Sequence, residues 1–427
     1  MKNPYLNRGM IRDINDFYGR TKELKKLFNR IKSDYPQSVS VKGQRRIGKS
    51  SFLYYITQKE IRKKYLDNPD SHIFTFCDFQ ELGKITQSDF FKLILDSISK
   101  EIKESIDIPE DVTYDDLKNT VVNLEAQGYK LVIILDEFDM VTKNDNFDYT
   151  FFSYLRAIAN KYKVAIITSS TEELQKMCHT KEINDSPFFN IFTPLTLGPL
   201  TYEEAKELVL SPSKRTGISY GPYFDFVVGI AGYHPFFIQV ACSLVFEYLT
   251  EHEKIDQEGY GVICEEFLDE MQGYFDYIWS RFSEDEKNTI IQIITKKDLS
   301  NREQKIAKDL QKAGYVIIND SESEIFSSLF AEYVVEKEEL EITSKLGKLD
   351  VETLETILQG LGSNSKVVVS HLIKAGGEET QRKLGNSLSM PKTTLSHNLK
   401  LLVERGIITK QRYFYTNIIK FSDQFWI

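Results

Sequence analysis

No run of apolar residues is long enough to cross a bilayer: the longest purely aliphatic stretch is Leu131–Leu135, against the roughly 20 residues that a membrane helix needs. The opening Met1–Asp16 is polar and has no apolar signal core. Both absences point to the cytoplasm and away from a membrane partner. Cysteine is scarce too. The four, Cys77, Cys178, Cys242 and Cys264, form no C-x-x-C pair, which excludes a disulfide framework and a thiolate zinc site and leaves buried free thiols. No repeat of 20 to 50 residues stands out beyond two similar units near the C-terminus.

What is present is ordinary globular composition, 41% hydrophobic and 27% charged, which excludes collagen-like and broadly disordered chains. At 427 residues the chain predicts two to four domains of roughly 100 to 200 residues each. Net charge is −9, but it is unevenly spread. From Lys345 onward twelve Lys and Arg face seven Asp and Glu, a balance of +5, whereas the preceding 344 residues balance at −14. The C-terminal fifth is electrostatically a different object.

The first two hundred residues alternate β-rich runs with helical stretches: Ser38–Lys42, Ile73–Phe79, Leu131–Leu135, Val164–Thr168 and Phe192–Leu197. That alternation predicts a parallel, helix-covered sheet. From Thr201, which forms a capping-box pattern with Glu204, the chain turns helical, and Pro235–Glu253 is a long apolar stretch. Ser283 with Glu286 starts another helix, Gly314 stops the next, and strands follow at Tyr315–Asn319 and about Ile325–Phe326. Helices closed by a hairpin make a winged-helix pattern.

Val335–Asp350 reads as a linker. A second unit then offers helices at Ser365–Lys374, Glu378–Leu388 and Pro391–Arg405, the last capped by Ser389 and stopped by Gly406. Ile407–Lys410 and Tyr413–Ile418 alternate as strands, with Gln411 and Arg412 at the turn.

Gly43-Gln44-Arg45-Arg46-Ile47-Gly48-Lys49-Ser50 fits G-x-x-x-x-G-K-[ST], and it lies between a β-run and a helix beginning Ser51-Phe52-Leu53. Such a loop wraps phosphates with backbone N–H groups at a helix N-terminus. Lys49 reaches the β and γ phosphates and Ser50 can ligate Mg2+. Leu131–Leu135 then delivers Asp136 and Glu137 at a strand end, Asp136 to hold magnesium through its water shell and Glu137 to deprotonate the attacking water. Ser169, at the end of the Val164–Thr168 run, is a sensor candidate for the γ phosphate. Asp139 reads as a solvated loop acid. Arg45 and Arg46 could face a phosphate or a partner subunit, or be solvated.

These residues resemble the STAND class of AAA+-related signal-transduction ATPases, in particular its prokaryotic archaeal-ATPase-like branch. Phe17-Tyr18-Gly19-Arg20-Thr21-Lys22-Glu23-Leu24 looks like the family's GR-x-x-E-L block, the two Walker-type motifs follow, and Gly232-Tyr233-His234-Pro235-Phe236 is similar to its G-x-P segment. The likeness spans about residues 17 to 335. It implies an ATP- or ADP-bound core under a helical lid and a winged helix. The block of Gly19 and Arg20 then lies near adenine, Pro235 contacts the nucleotide, and Arg46, Ile47, Gly48 and Ser51 join Gly43, Lys49 and Ser50 around it. His234 reads more readily as a helix-capping or core residue. No sensor arginine stands in the lid; Arg156, the nearest arginine-finger candidate, is better read as a structural salt bridge. Turnover is therefore expected to be slow.

Beyond the likeness, Leu395, Leu399 and Leu402 share one helical face, while Lys392, Thr393, Ser396, His397 and Lys400 share the other. Short polar and basic side chains suit a recognition helix, and Lys410 and Arg412 suit a phosphate-gripping wing on double-stranded DNA. The expected architecture is a P-loop NTPase with a three-layer α/β parallel sheet (1–200), a helical lid (201–274), a first winged helix (275–340) and a second, basic one (345–427). Its expected function is an ATP-controlled DNA-binding regulator, with a second copy of the chain as the other expected partner on ATP binding. The competing readings are a STAND signalling or defence scaffold working through protein contacts and a replication-initiator-like ATPase.

Overall fold

A computed structural model describes residues 2–6, 9–80, 84–103, 106–319, 322–338, 351–358, 360–375, 377–388, 390–413 and 416–425. By the packing of its backbone the chain divides into two units. The first comprises Met1–Phe224, Tyr233–Ser243 and Lys312–Gly314; the second comprises Asp225–Gly232, Leu244–Gln311 and Tyr315–Ile427.

The first unit is built on β1 (Val39–Lys42), β2 (His72–Asp78), β3 (Lys130–Asp136), β4 (Val164–Ser170) and β5 (Thr193–Thr196). They form one sheet in the order β2-β3-β4-β1-β5, every neighbouring pair parallel. All five strands expected from the apolar runs are present. Alternate residues point to opposite faces, and both faces are covered. Leu131, Ile133, Leu135, Val164 and Ile166 pack with the helices α4 (Gln87–Ile102), α5 (Tyr114–Ala126) and α7 (Tyr149–Lys161). Val132, Ile134, Val39, Val41 and Ile167 pack with α1 (Thr21–Ile31), α2 (Lys49–Thr57) and α3 (Lys59–Tyr65). This is the expected three-layer α/β fold. Short helices α6 (Asp139–Thr142) and α8 (Lys181–Asn184) follow β3 and β4, and α9 (Tyr202–Ser213) follows β5.

Helices α10 (Phe224–Ala231), α11 (Pro235–Glu251), α12 (Gln257–Arg281), α13 (Glu284–Ile294) and α14 (Asn301–Ala313) come next. The hairpin β6 (Val316–Asn319) and β7 (Glu322–Ile325) and helix α15 (Ser328–Lys337) follow them. The capping boxes at Thr201 and Ser283 are both formed. The boundary read at residue 274 falls inside α12, because nothing there stops a helix; the stop comes at Phe282, just before Ser283 caps the next. The linker reading begins too early, since α15 continues to Lys337, and residues 339–350 lie outside the described ones.

The C-terminal elements are α16 (Val351–Leu358), α17 (Ser363–Lys374), β8 (Glu378–Thr380), α18 (Gln381–Leu388), α19 (Lys392–Glu404), β9 (Ile408–Tyr413) and β10 (Thr416–Phe421). Two expectations are corrected here. Glu378–Thr380 is a strand, not the start of a helix, because it pairs antiparallel with β10. Gln411 and Arg412 lie within β9 and pair with Ile418 and Asn417 instead of forming the turn. Pro391 occupies the cap position of α19, and Ser389 lies outside the described residues. Leu395, Leu399 and Leu402 are buried together with Val368, Leu372, Leu384 and Ile419.

Gly232 adopts φ +62°, and a Cβ there would lie 2.5 Å from the Phe326 carbonyl oxygen. Gly232→Ala is expected to destabilise the chain by about 1–3 kcal/mol, read as a lowered urea midpoint.

Candidate functional site

The loop Gly43–Gly48 must turn the chain from β1 into α2 against the exit of β5. Gly43 approaches so closely that a Cβ would lie 2.6 Å from the Leu197 carbonyl oxygen. Gly48 caps α2 at φ +98°, and Arg46 also takes a left-handed backbone at φ +66°. The free N–H groups of a helix N-terminus make such a turn an anion site. Lys49 is only 9% exposed, and its Nζ donates to the Gly43 and Gln44 carbonyls at 2.9 and 3.0 Å. Burial lowers its proton affinity, while Asp136, Glu137 and Asp139 support the charge.

Two strands away, Asp136 ends β3. It is 1% exposed; burial raises its carboxyl pKa, and the hydroxyls of Ser169 and Ser50 work against that rise. Ser169, fully buried on the intervening β4, donates to Asp136 Oδ1 and accepts the Glu137 N–H at 2.8 Å. Glu137 stands at φ +54°, a left-handed conformation that costs a non-glycine residue free energy. Burial, then Asp136 and Asp139, raise its carboxyl pKa. The other Asp136 oxygen, Oδ2, is buried with no hydrogen-bond partner among the described residues. Asp78, which the sequence reading passed over, ends β2 directly beside Asp136 in the strand register.

The Ser169 hydroxyl, read from the sequence as a sensor candidate, stands between the two strand-end carboxylate residues and in this arrangement positions them. Asp139 is no solvated loop acid. It is 8% exposed at the start of α6 and paired with Lys143 at 2.8 Å. Arg156 is exposed and forms no ion pair among the described residues.

Around the loop, Arg20 is buried, with its guanidinium donating to the Gly198 carbonyl at 2.7 Å and to the Ile47 carbonyl of the P-loop at 3.0 Å. Its backbone N–H, freed by φ +62° at the cap of α1, donates to Glu204 Oε1 at 2.7 Å. Gly19 leaves room for the Glu204 side chain, 2.9 Å from where a Cβ would stand. Glu204 also accepts the Thr201 N–H, so one capping carboxylate joins α9 to the Gly19–Arg20 turn. The capping signature in the sequence reveals Thr201 but not the distant Arg20.

The Ser51 hydroxyl accepts the Ile11 N–H at 3.0 Å. Pro235 is the half-buried first residue of α11, Arg46 lies 5.3 Å over the Phe236 ring, and His234 stacks on Phe237 at 4.3 Å. Burial first, and Arg20 next, push the His234 pKa down to about 3, as its core reading requires.

In the second unit, Thr393, Ser396, His397, Lys400 and Lys410 are exposed. Lys392 is engaged: its ammonium pairs with Glu265 of α12. Arg412 is on β9, but its side chain lies outside the described ones.

Residues 33–298, well over half of the chain, match the family described as novel STAND NTPase 2. The chain belongs to this family. Among solved structures, the STAND NTPase is similar to the Walker-type ATPase of Pyrococcus abyssi at 15% identity and a TM-score of 0.53, covering 77% of this chain and 99% of that one. It is also similar to the ORC2 protein of Aeropyrum pernix in its ADPNP-ADP complexes, at 12% identity and a TM-score of 0.51, covering 79% and 98%. At these identities the likeness is one of fold. No curated protein matches the chain. Among the described residues no helix is long and apolar enough to cross a membrane.

Because His234 stays neutral when folded but takes a proton near pH 6.5 when unfolded, its contribution to stability is lost as pH falls from about 6.5 toward 3. His234→Gln is expected to flatten the fall of the thermal midpoint over that window.

Proposed function

We propose that this STAND NTPase is an ATP-binding, slowly hydrolysing switch that governs DNA binding by a C-terminal winged helix. The observation that carries the nucleotide half is the convergence of Lys49 on the P-loop carbonyls with the Asp136–Ser169–Glu137 chain at the ends of β3 and β4. A buried ammonium among carboxylates suits the β and γ phosphates of ATP, whose charge it meets directly. Mg2+ in phosphate sites takes one or two protein ligands, and the Ser50 hydroxyl with the unpartnered Asp136 Oδ2 suits that demand. When bound, Mg2+ neutralises phosphate charge. Glu137, half-buried and with its carboxylate not held by Ser169, is the carboxylate assigned to accept a proton from water, while Asp136 is held by the Ser169 hydroxyl. Gly19, Arg20, Ser51 and Pro235 belong to the nucleotide surround on the family resemblance.

Lys49→Ala is expected to abolish binding of ATP and ADP, because it leaves concentrated phosphate charge uncompensated. Glu137→Gln should retain binding and lose turnover, since the phosphate contacts survive and the base does not. Calorimetry and phosphate release check both; wild-type hydrolysis by the Gln variant overturns the role of Glu137.

The DNA half rests on the +5 balance of the C-terminal fifth and on the exposed face of α19. The order α17-β8-α18-α19-β9-β10 supports a winged helix, one of four domains in this reading, after the ATPase domain, the helical lid and a first winged helix. The pairing of Lys392 with Glu265 favours a second reading, in which α19 serves protein contacts within a nucleotide-controlled homo-oligomer. Salt dependence separates them. If Lys392, Lys400, Lys410 and Arg412 grip phosphates, log affinity for duplex DNA should fall against log salt with a slope of roughly −3 to −4, and each Ala substitution should flatten it by about one. Salt-independent association, or a nucleotide-dependent change in sedimentation without DNA binding, selects the protein-contact reading.

A further inference from the structure

The segment ahead of the Gly19–Arg20 turn runs between two sets of helices in the first unit, and its contacts alternate between them. Asn3 and Tyr5 are 8% and 2% exposed. Asn3 Nδ2 donates to the backbone carbonyl and hydroxyl of Ser243 on α11 at 3.2 and 3.0 Å, and Asn3 Oδ1 accepts the Tyr5 N–H. The Tyr5 hydroxyl donates to the Val209 carbonyl of α9. Its ring lies 5.2 Å from that of Tyr220, whose own hydroxyl donates to the Cys242 carbonyl of α11 at 2.8 Å.

Further along, the contacts turn to α2. The Ile11 N–H donates to Ser51 Oγ, one residue beyond Ser50, and Phe17 stacks on Tyr55 at 4.1 Å. Between those two, Asp16 turns back to Arg215, just past α9. Arg215 Nη2 donates to Asp16 at 2.5 Å and to the Tyr18 hydroxyl at 2.8 Å.

We propose that this N-terminal strap is a latch that couples helices α9 and α11 to the P-loop helix α2 and so sets the rate at which the nucleotide leaves. Here Asn3 and Tyr5 grip α9 and α11 through buried hydrogen bonds, while Ile11 and Phe17 grip α2 at Ser51 and Tyr55, next to the Ser50 of the proposed Mg2+ site. A displacement of α9 or α11 therefore cannot occur without breaking the Asn3 and Tyr5 anchors or pulling on the Ile11–Ser51 bond. The latch rests on the nucleotide reading of the P-loop, and its test is arranged to separate the two.

The full-length chain is loaded with a fluorescent ADP analogue and chased, and backbone amide exchange is followed in parallel without nucleotide. Tyr5→Phe removes one hydroxyl while keeping the ring, so it tests the anchor without threatening the fold; Asn3→Ala and Arg215→Ala cut the neighbouring anchors. Tyr5→Phe and Asn3→Ala are expected to speed ADP release by about 3- to 10-fold, the loss of buried hydrogen bonding, and Arg215→Ala, whose bonds are exposed, by about 5-fold at most. Each is also expected to raise exchange in α9 and α11 and in the first turn of α2. Faster exchange confined to α9 and α11 with unchanged release overturns the latch, as does an absence of change in both. A wild type that retains no ADP overturns the nucleotide reading. In that case the release half of the latch falls with it, and the exchange data decide only whether the strap couples α9 and α11 to α2.

Discussion

A buried ammonium and a buried carboxylate can share one crevice because each offsets part of the other's desolvation, and the candidate site depends on that pairing. Burial pushes Lys49 toward its neutral form and Asp136 toward its protonated one, and each works against the other's shift. Each also leans on hydrogen bonds, Lys49 on the Gly43 and Gln44 carbonyls and Asp136 on the Ser169 hydroxyl. The strand order makes the arrangement possible. With β4 between β1 and β3, the loop and the acid stand two strands apart, and a small hydroxyl residue at the end of β4 fills the gap. Ser169 uses its proton on Asp136 and its lone pair on the Glu137 amide, so it fixes the carboxylate it touches and the backbone of the next. A bulkier apolar residue there would leave both groups unpaired in a dry site.

The surroundings of the P-loop continue the same economy of polar contacts. Arg20 looks like a charged residue waiting for a ligand, yet its guanidinium is occupied by two backbone carbonyls, one from the loop itself. Its left-handed backbone is what frees the amide that Glu204 captures. The GR dipeptide therefore does its work through conformation: a glycine with room for a neighbouring side chain, and an arginine that braces the far side of the loop.

Much of the core was legible because buried parallel strands are written as short apolar runs, and because a glycine-framed turn between strand and helix has few other uses. What was not legible has one physical cause, that partners distant in sequence decide the outcome. Glu378-Glu379-Thr380 has no strand signature of its own and becomes β8 by pairing with β10. Asp139 has the composition of a loop acid but is drawn into the interior beside Lys143. Glu204 announces a helix cap, and only the fold shows its second partner. The N-terminal segment is polar enough to pass for a loose tail, while Asn3 and Tyr5 are in fact among the buried residues.

These distant links bear on whether the first unit can act as a switch at all. A ligand shifts a conformational equilibrium only through a difference in its affinity for the two states, and that difference must be transmitted by contacts that exist in one state and break in the other. The unit has several of about the right size. The Glu204 carboxylate on the Arg20 amide and the Arg20 guanidinium on the loop carbonyl involve charged groups and are worth roughly 1.5 to 3 kcal/mol each, and the neutral strap bonds from Asn3, Tyr5 and Ile11 roughly 0.5 to 1.5 kcal/mol each, net when made. Two or three of the neutral ones changing together, or one of the charged ones, give the roughly 1 to 3 kcal/mol typical of coupled sites. No one of them has to carry the whole coupling. A helix pair held by many weak links and attached to the loop through two of them can respond to one phosphate without being locked by it.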